Sequence, residues 1–230
     1  MNGARGFTLL EMLIATTVLA LILTVGNTAF GLFTSRWGDR EDAFTARFEH
    51  TRRTLLLQDV VDSLLPYVVR DGEGTARLYF EGNRNGFVAV AAQGLFREDT
   101  ECVVRLQLAQ QQDLTFALLY EEWPLGNAQL LDAQQPIPFG PPLILAEDLQ
   151  AARFDYFGWP SLAAKLAAAE RPAGTRGPQP RWQDAHNALS AELMPWRIRL
   201  TLGTEGDGER LLFSPALGDS ALLARHREAL

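Results

Sequence analysis

The chain has 230 residues, 47% of them hydrophobic and 21% charged. This excludes a disordered polar chain, a collagen-like repeat and a disulfide-stapled miniprotein, and fits one domain or at most two. Its 21 basic residues, 20 of them arginine, face 28 acidic ones for a net charge of −7. No basic block stands out, so a sequence-independent grip on nucleic acid is not expected. The single cysteine, Cys102, can make neither an internal disulfide nor a Cys-rich zinc site.

The first element is apolar. No charged residue lies between Met12 and Ser35, and Phe7 to Phe33 holds only one, Glu11. About 20 such residues suffice to cross a bilayer as a helix. Leu9, Leu10, Met12, Leu13, Ile14, Val18, Leu19, Leu21, Ile22 and Leu23 leave no polar face, which predicts a lipid-facing or fully buried helix rather than an amphipathic one. A cleaved secretory signal is a poorer fit. The run exceeds a 7–15-residue apolar core, starts almost at once, and is not closed by a small-x-small cleavage site. Glu11 is the exception within it. A carboxylate inside a membrane span costs roughly 2.5–3.5 kcal/mol on insertion scales, so it calls for a partner or for a place near the headgroups.

Gly6-Phe7-Thr8-Leu9-Leu10-Glu11, behind the short leader Met1–Gly6 with its Arg5, resembles the processing site of the type IV pilins and the pseudopilins of type II secretion. The resemblance implies that a prepilin peptidase cuts between Gly6 and Phe7 and that the new Phe7 amine is N-methylated. It also implies that Glu11, fifth in the mature chain, neutralises the α-amino group of a neighbouring subunit during assembly. In lipid an ammonium and a carboxylate stabilise each other far better than either is stabilised alone. Arg5 favours a cytoplasmic N-terminus by the positive-inside bias, which places the rest of the chain in the periplasm on the outer side of the inner membrane. A buried Cys102 is compatible with that oxidising compartment.

Helical spacing continues beyond Phe33. Phe44, Phe48, Thr51 and Leu55 follow one another at offsets of four, three and four, and Leu57, Val61 and Leu64 repeat the rhythm, so this segment is expected to lay an apolar stripe on a globular domain. The first proline, Pro66, and Asp71-Gly72 punctuate its end, giving a helix from Phe7 to about Leu65. Gly26, Gly31 and Gly38 read equally as points of bending or as sites of close helix packing. From Ala76 the period becomes two, with strands expected at Ala76–Glu81, Gly86–Ala92, Cys102–Ala109, Leu114–Glu122, Leu143–Ala146, Ala152–Phe157, Trp196–Leu202 and Arg210–Phe213. Pro136 to Pro142 and Arg171–Pro180 read as loops, and Leu162–Glu170 as a short Ala-rich helix. A long helix followed by antiparallel strands is an α+β fold. It has the pilin-like plan of a helix, transmembrane in its first half, packed on antiparallel sheet. The expected division is a leader at 1–6, a transmembrane and assembly helix at 7–35 and a periplasmic pilin-like domain at 36–230.

Later blocks are similar to the J-type minor pseudopilin of type II secretion. They are Leu64–Gly72, Tyr120–Pro124, Phe154–Trp159 and Met194–Leu202. The last departs from the commoner Leu-Pro-basic opening at Met194 and Trp196, and Ser161–Arg181 looks like an insertion. The resemblance implies a pseudopilus tip complex with I-type and K-type minor pseudopilins, contact with the assembly platform and inner-membrane lipid, and a role in exporting folded proteins. The K-type subunit typically lacks the fifth-position glutamate that this chain carries as Glu11. A minor pilin of a type IV pilus is the neighbouring reading. A membrane-anchored periplasmic binding module or enzyme is the reading from a different class.

No catalytic grouping supports an enzyme: the sequence has no Gly-x-Ser-x-Gly elbow, no phosphate-binding glycine loop and no His-Glu-x-x-His helix. No cofactor and no metal are expected. His50 falls on the amphipathic helix, His226 in a polar tail, and His186 near Asp184 with no nucleophile placed beside them. Glu98, Asp99 and Glu101 read as a solvated turn. Trp123, Trp159, Trp182 and Trp196 sit beside Pro or Arg in loop-like stretches, which suits either sheet packing or a partner surface.

Overall fold

The computed structural model describes residues 9–97, 99–126, 129–171, 177–203 and 209–215, with the side chains of 32–47, 49 and 50 outside the description. Two compact units divide the chain, Met1–Arg52 and Arg53–Leu230.

A proline-free stretch makes one helix, α1, from Leu9 to Asp62. In the first unit every described side chain from Leu9 to Gly31 is exposed, and this stretch is long and apolar enough to cross a membrane. Its threonines spend their hydroxyls inside the helix. Thr16 and Thr17 donate to the carbonyls of Met12 and Leu13 at 3.0 and 2.9 Å, and Thr24 and Thr28 to those of Ala20 and Thr24 at 2.8 Å each. Such back-bonding removes the cost of an unpaired hydroxyl in hydrocarbon.

α1 ends three residues before the expected Leu65, at Asp62. The Ser63 amide makes a last bond to Asp59 O at 3.2 Å, and its hydroxyl closes on Val60 O at 2.8 Å. Pro66 bars any helical continuation, so residues 64–65 turn into a strand.

The second unit then runs β1 (Leu64–Leu65), β2 (Val68–Arg70), β3 (Ala76–Leu78), β4 (Phe80–Asn83), β5 (Gly86–Ala91), β6 (Cys102–Gln110), β7 (Phe116–Pro124), β8 (Leu143–Leu149) and β9 (Ala152–Gly158). It continues with α2 (Leu162–Ala169), β10 (Arg181–Gln183), β11 (His186–Asn187), α3 (Ala188–Ala191), β12 (Arg197–Leu202) and β13 (Glu209–Phe213). Sheet I has the order β11-β4-β5-β6-β7-β8, with β1 also paired to β5. Sheet II is β10-β9-β12-β13, and β2-β3 form a ribbon. All the strand pairings are antiparallel. The fold is therefore the α+β, pilin-like arrangement expected of a long apolar helix followed by antiparallel strands.

The main core lies where α1 and the two sheets meet. Leu57, Val60, Val61 and Leu64 are buried together with Phe80, Phe87, Phe154, Tyr156, Ile198 and Leu200. Spacings of three and four put Leu57, Val60 and Val61 on one helical face, and Leu64 joins them from the start of β1. The expected stripe is corrected here: Phe48 is 59% and Leu55 55% exposed, Thr51 is exposed too, and the side chain of Phe44 lies outside the described residues. Leu55 precedes Leu57 by two residues, about 200° around a helix, so the two cannot share a buried face.

Sheet I carries a second cluster on its other side, formed by Val69, Val90, Val103, Leu125 and Leu130 with Tyr67, Trp123, Ile137 and Phe139. The proline-rich loop after β7 thus acts as a strap. Leu131 O accepts from Arg70 N, and Ala133 N donates to Arg70 O, both at 2.9 Å. Arg105 lies 4.2 Å from the centre of the Phe139 ring while holding Glu121 through both carboxylate oxygens at 2.5 and 2.7 Å.

The expected strand Ala76–Glu81 is split. Tyr79 N donates to Tyr67 O at 2.8 Å, which keeps β3 with the ribbon, while Phe80 opens the pairing of β4 with β5. His186, at the start of β11, is 4% exposed, and its Nε2–H donates to Leu193 O at 2.7 Å. Burial pushes its pKa down, so the unfolded chain takes up the proton more readily than the folded one. Stability is therefore expected to fall as pH drops below about 6.5, toward that lowered value. The carboxyls of Asp71 and Asp113 also titrate low, held there chiefly by side-chain bonds to Arg77 and Thr115, so their contributions are lost only below about pH 4. Denaturant unfolding at pH 7.5 and 5.5 checks this, and His186→Gln should flatten the difference.

Candidate functional site

The one acid of the apolar run, Glu11, sits in the first turn of α1, where a carboxylate is favoured by the helix dipole. It has Leu9, Leu10, Met12, Leu13 and Ile14 around it, all more than half exposed. The carboxylate is thus set in a lipid-compatible surface close to the start of the helix. Gly6 and Phe7, the expected processing residues, lie outside the described residues.

Residues 1–26 match the prokaryotic N-terminal methylation motif. The methylation motif spans the leader, the glycine-phenylalanine junction, Glu11 and most of the apolar run. It supports a type IV pilin-like or pseudopilin class, which is typically structural, and it implies processing by a prepilin peptidase and assembly with pilus components. With the apolar helix it fits a single-pass membrane anchor bearing a C-terminal soluble domain. No match is found among curated proteins.

The other sites weighed from sequence are dispersed. Asp184 pairs with Arg84 at 2.9 Å on the surface, while His186 is bound to Leu193 in the interior. Asp99 and Glu101 are exposed, Glu98 lies outside the described residues, and among the described residues no group of three or more His, Cys, Asp or Glu is placed to hold a metal. His226 also lies outside the description, as does the side chain of His50.

Sequence reasoning missed a buried polar lock behind Cys102. Tyr120 Oη donates to Glu122 Oε2 at 2.7 Å, Phe96 N donates to the same oxygen at 3.2 Å, and Leu95 N donates to Tyr120 Oη at 3.1 Å. Burial, with the Glu122 charge second, pushes the Cys102 thiol up to about 12, which removes it as a nucleophile at neutral pH. The lock fastens the 92–97 loop to β7. The Tyr-x-Glu alternation in β7 was its only sequence signal, and alternation alone does not tell an inward carboxylate from an outward one.

Proposed function

We propose that this chain is a J-type minor pseudopilin of type II secretion. In this reading it is cleaved after Gly6, N-methylated at Phe7, and held by residues 7–35 in the inner membrane with 36–230 in the periplasm. It joins I-type and K-type partners in the tip complex that primes the pseudopilus, and works by assembly rather than catalysis. The observation that carries the reading is the methylation motif at residues 1–26 leading into an exposed apolar helix with Glu11 in its first turn. The resemblance in the later blocks supports the subtype, and two of them, Phe154–Trp159 and Met194–Leu202, supply the paired strands β9 and β12.

Two measurements test it. Mass spectrometry of the protein from its own membranes is expected to find a chain beginning with N-methyl-phenylalanine at Phe7, and an intact Met1 would sink the assignment. Glu11→Ala is expected to leave thermal unfolding of the second unit unchanged but to cut co-purification with the tip partners at least tenfold. An unmatched charge in lipid costs about 2.5–3.5 kcal/mol, and the variant leaves the neighbour's ammonium unmatched. Normal export of folded substrates by this variant would count against the role.

A further inference from the structure

Sheet II has two unlike faces. Phe154, Tyr156, Ile198 and Leu200 fill the core, while the residues between them form the outer face. There Arg197 stands opposite Phe157, Arg199 opposite Asp155, and Thr201 opposite Arg153. Arg210 stands opposite Thr201 on the other side, and Trp182 opposite Phe157. Among the described residues, four guanidinium groups thus share a face with one carboxylate. Glu209 is at the register position of Leu202, on the core side.

That single carboxylate is already committed. Asp155 Oδ2 accepts from Arg199 at 2.8 and 3.1 Å, and Arg153 Nε lies 3.5 Å from the same oxygen. Arg199 is clamped further, its guanidinium 4.1 Å from the centre of the Trp182 ring. Trp182 packs on Phe157 at 5.3 Å, and Phe157 on Trp196 at 6.3 Å. Trp196 is itself 38% exposed. Arg197 is exposed in the same register row as Phe157 and Trp182, Arg210 is exposed at the other end of the face, in the Thr201 row, and Leu212 in the row between them is 52% exposed.

We propose that the outer face of sheet II docks an acidic protein surface, with Phe157, Trp182 and Trp196 as the pad and Arg197 and Arg210 as its anionic-group clamps. The face carries a local surplus of positive charge in a chain whose net charge is −7, so the charge complement of this patch is acidic, and the rest of the molecule repels the same partner. Tryptophan and arginine are the residues enriched at protein interface centres. A membrane surface is the poorer match. The rings pack on one another at tilts of 51° and 56°, and the arginines are spaced by the strand pleat, about 7 Å along a strand.

The proposal concerns the second unit alone and does not rest on the secretion assignment. The test uses the full chain in a neutral detergent, with polyglutamate as probe and tryptophan fluorescence as readout. A saturable change with polyglutamate and none with polylysine is expected. It should weaken at least tenfold in Arg197→Glu/Arg210→Glu and survive in Arg197→Lys/Arg210→Lys, with all three proteins unfolding at the same temperature. No saturable response, or an undiminished one in the glutamate double variant, overturns the proposal. A response to phosphatidylglycerol-doped micelles that replaces the one to polyglutamate also overturns it, in favour of a lipid surface.

Discussion

Gly86→Ala is expected to lower the stability of the second unit by about 3 kcal/mol or more, a fall of roughly 6–12 °C in melting temperature for a unit of this size. Gly86 opens β5 with φ +149°, a conformation that L side chains rarely adopt. An added Cβ would run into the Leu106 carbonyl oxygen and come within 2.9 Å of Gln107 Cα. Both are backbone atoms of the neighbouring strand, so no rotamer change relieves the clash. The hairpin it would displace is a joint between the sheets. Tyr156 Oη donates to Gly86 O at 2.7 Å, Phe154 N to Arg84 O at 2.9 Å, and Leu108 N to Asn85 O at 2.6 Å. Gly72→Ala is the control, with nothing within 4 Å of its added Cβ, and should stay within about 0.5 kcal/mol of the parent. Equal melting temperatures for the two variants would show that the hairpin moves freely.

Val61→Asp is expected to be more damaging still, at about 4 kcal/mol or beyond. Val61 is 1% exposed between Leu57 and Leu64 in the main core, where a carboxylate finds only apolar neighbours and must stay charged without a partner or take up a proton. Phe48→Asp on the same helix should change stability by no more than about 0.5 kcal/mol, because Phe48 is 59% exposed. Circular dichroism melts of the full chain in detergent separate these outcomes, and a loss in Phe48→Asp comparable to that in Val61→Asp would return Phe48 to the core.

Much of this architecture was readable before any coordinates, for reasons tied to length. The alternation of Trp196, Ile198, Leu200 and Leu202 with Arg197, Arg199 and Thr201 holds from Ile198 on, as the registers with β9 and β13 bear out, while Trp196 precedes the strand and is 38% exposed. The Ala-rich helix was expected at Leu162–Glu170 and runs Leu162–Ala169, capped by Ser161, whose hydroxyl accepts from Ala164 N. β1, β2, β10 and β11 leave no sequence signal because two or three residues hold no period; Trp182 reads as loop beside Pro178 and Pro180, and only the partner strand β9 makes it sheet. The helical stripe was misplaced for a related reason. Phe44–Leu55 and Leu57–Leu64 each have good helical spacing, and the residues alone do not say which of the two meets a core. Glu11 stands out in the sequence because a lone charge in an apolar run has no ordinary packing role. The sheet II pad was only half legible, since Arg–aromatic alternation in β9 and β12 is visible in sequence but the clamp of Arg199 between Asp155 and Trp182 depends on a third strand.

The way α1 enters the second unit bears on its mechanics. Ser63 passes the chain directly into β1, whose Leu64 and Leu65 lie opposite Ala91 and Val90 of β5, and β5 is held along its other side by β6 over six residue pairs. Tension arriving along the helix is therefore delivered to the middle of the largest sheet, at a strand walled by clusters on both sides, and not to a peripheral ribbon. A subunit tugged by its anchor would load its most deeply seated strand first and yield at its margins last.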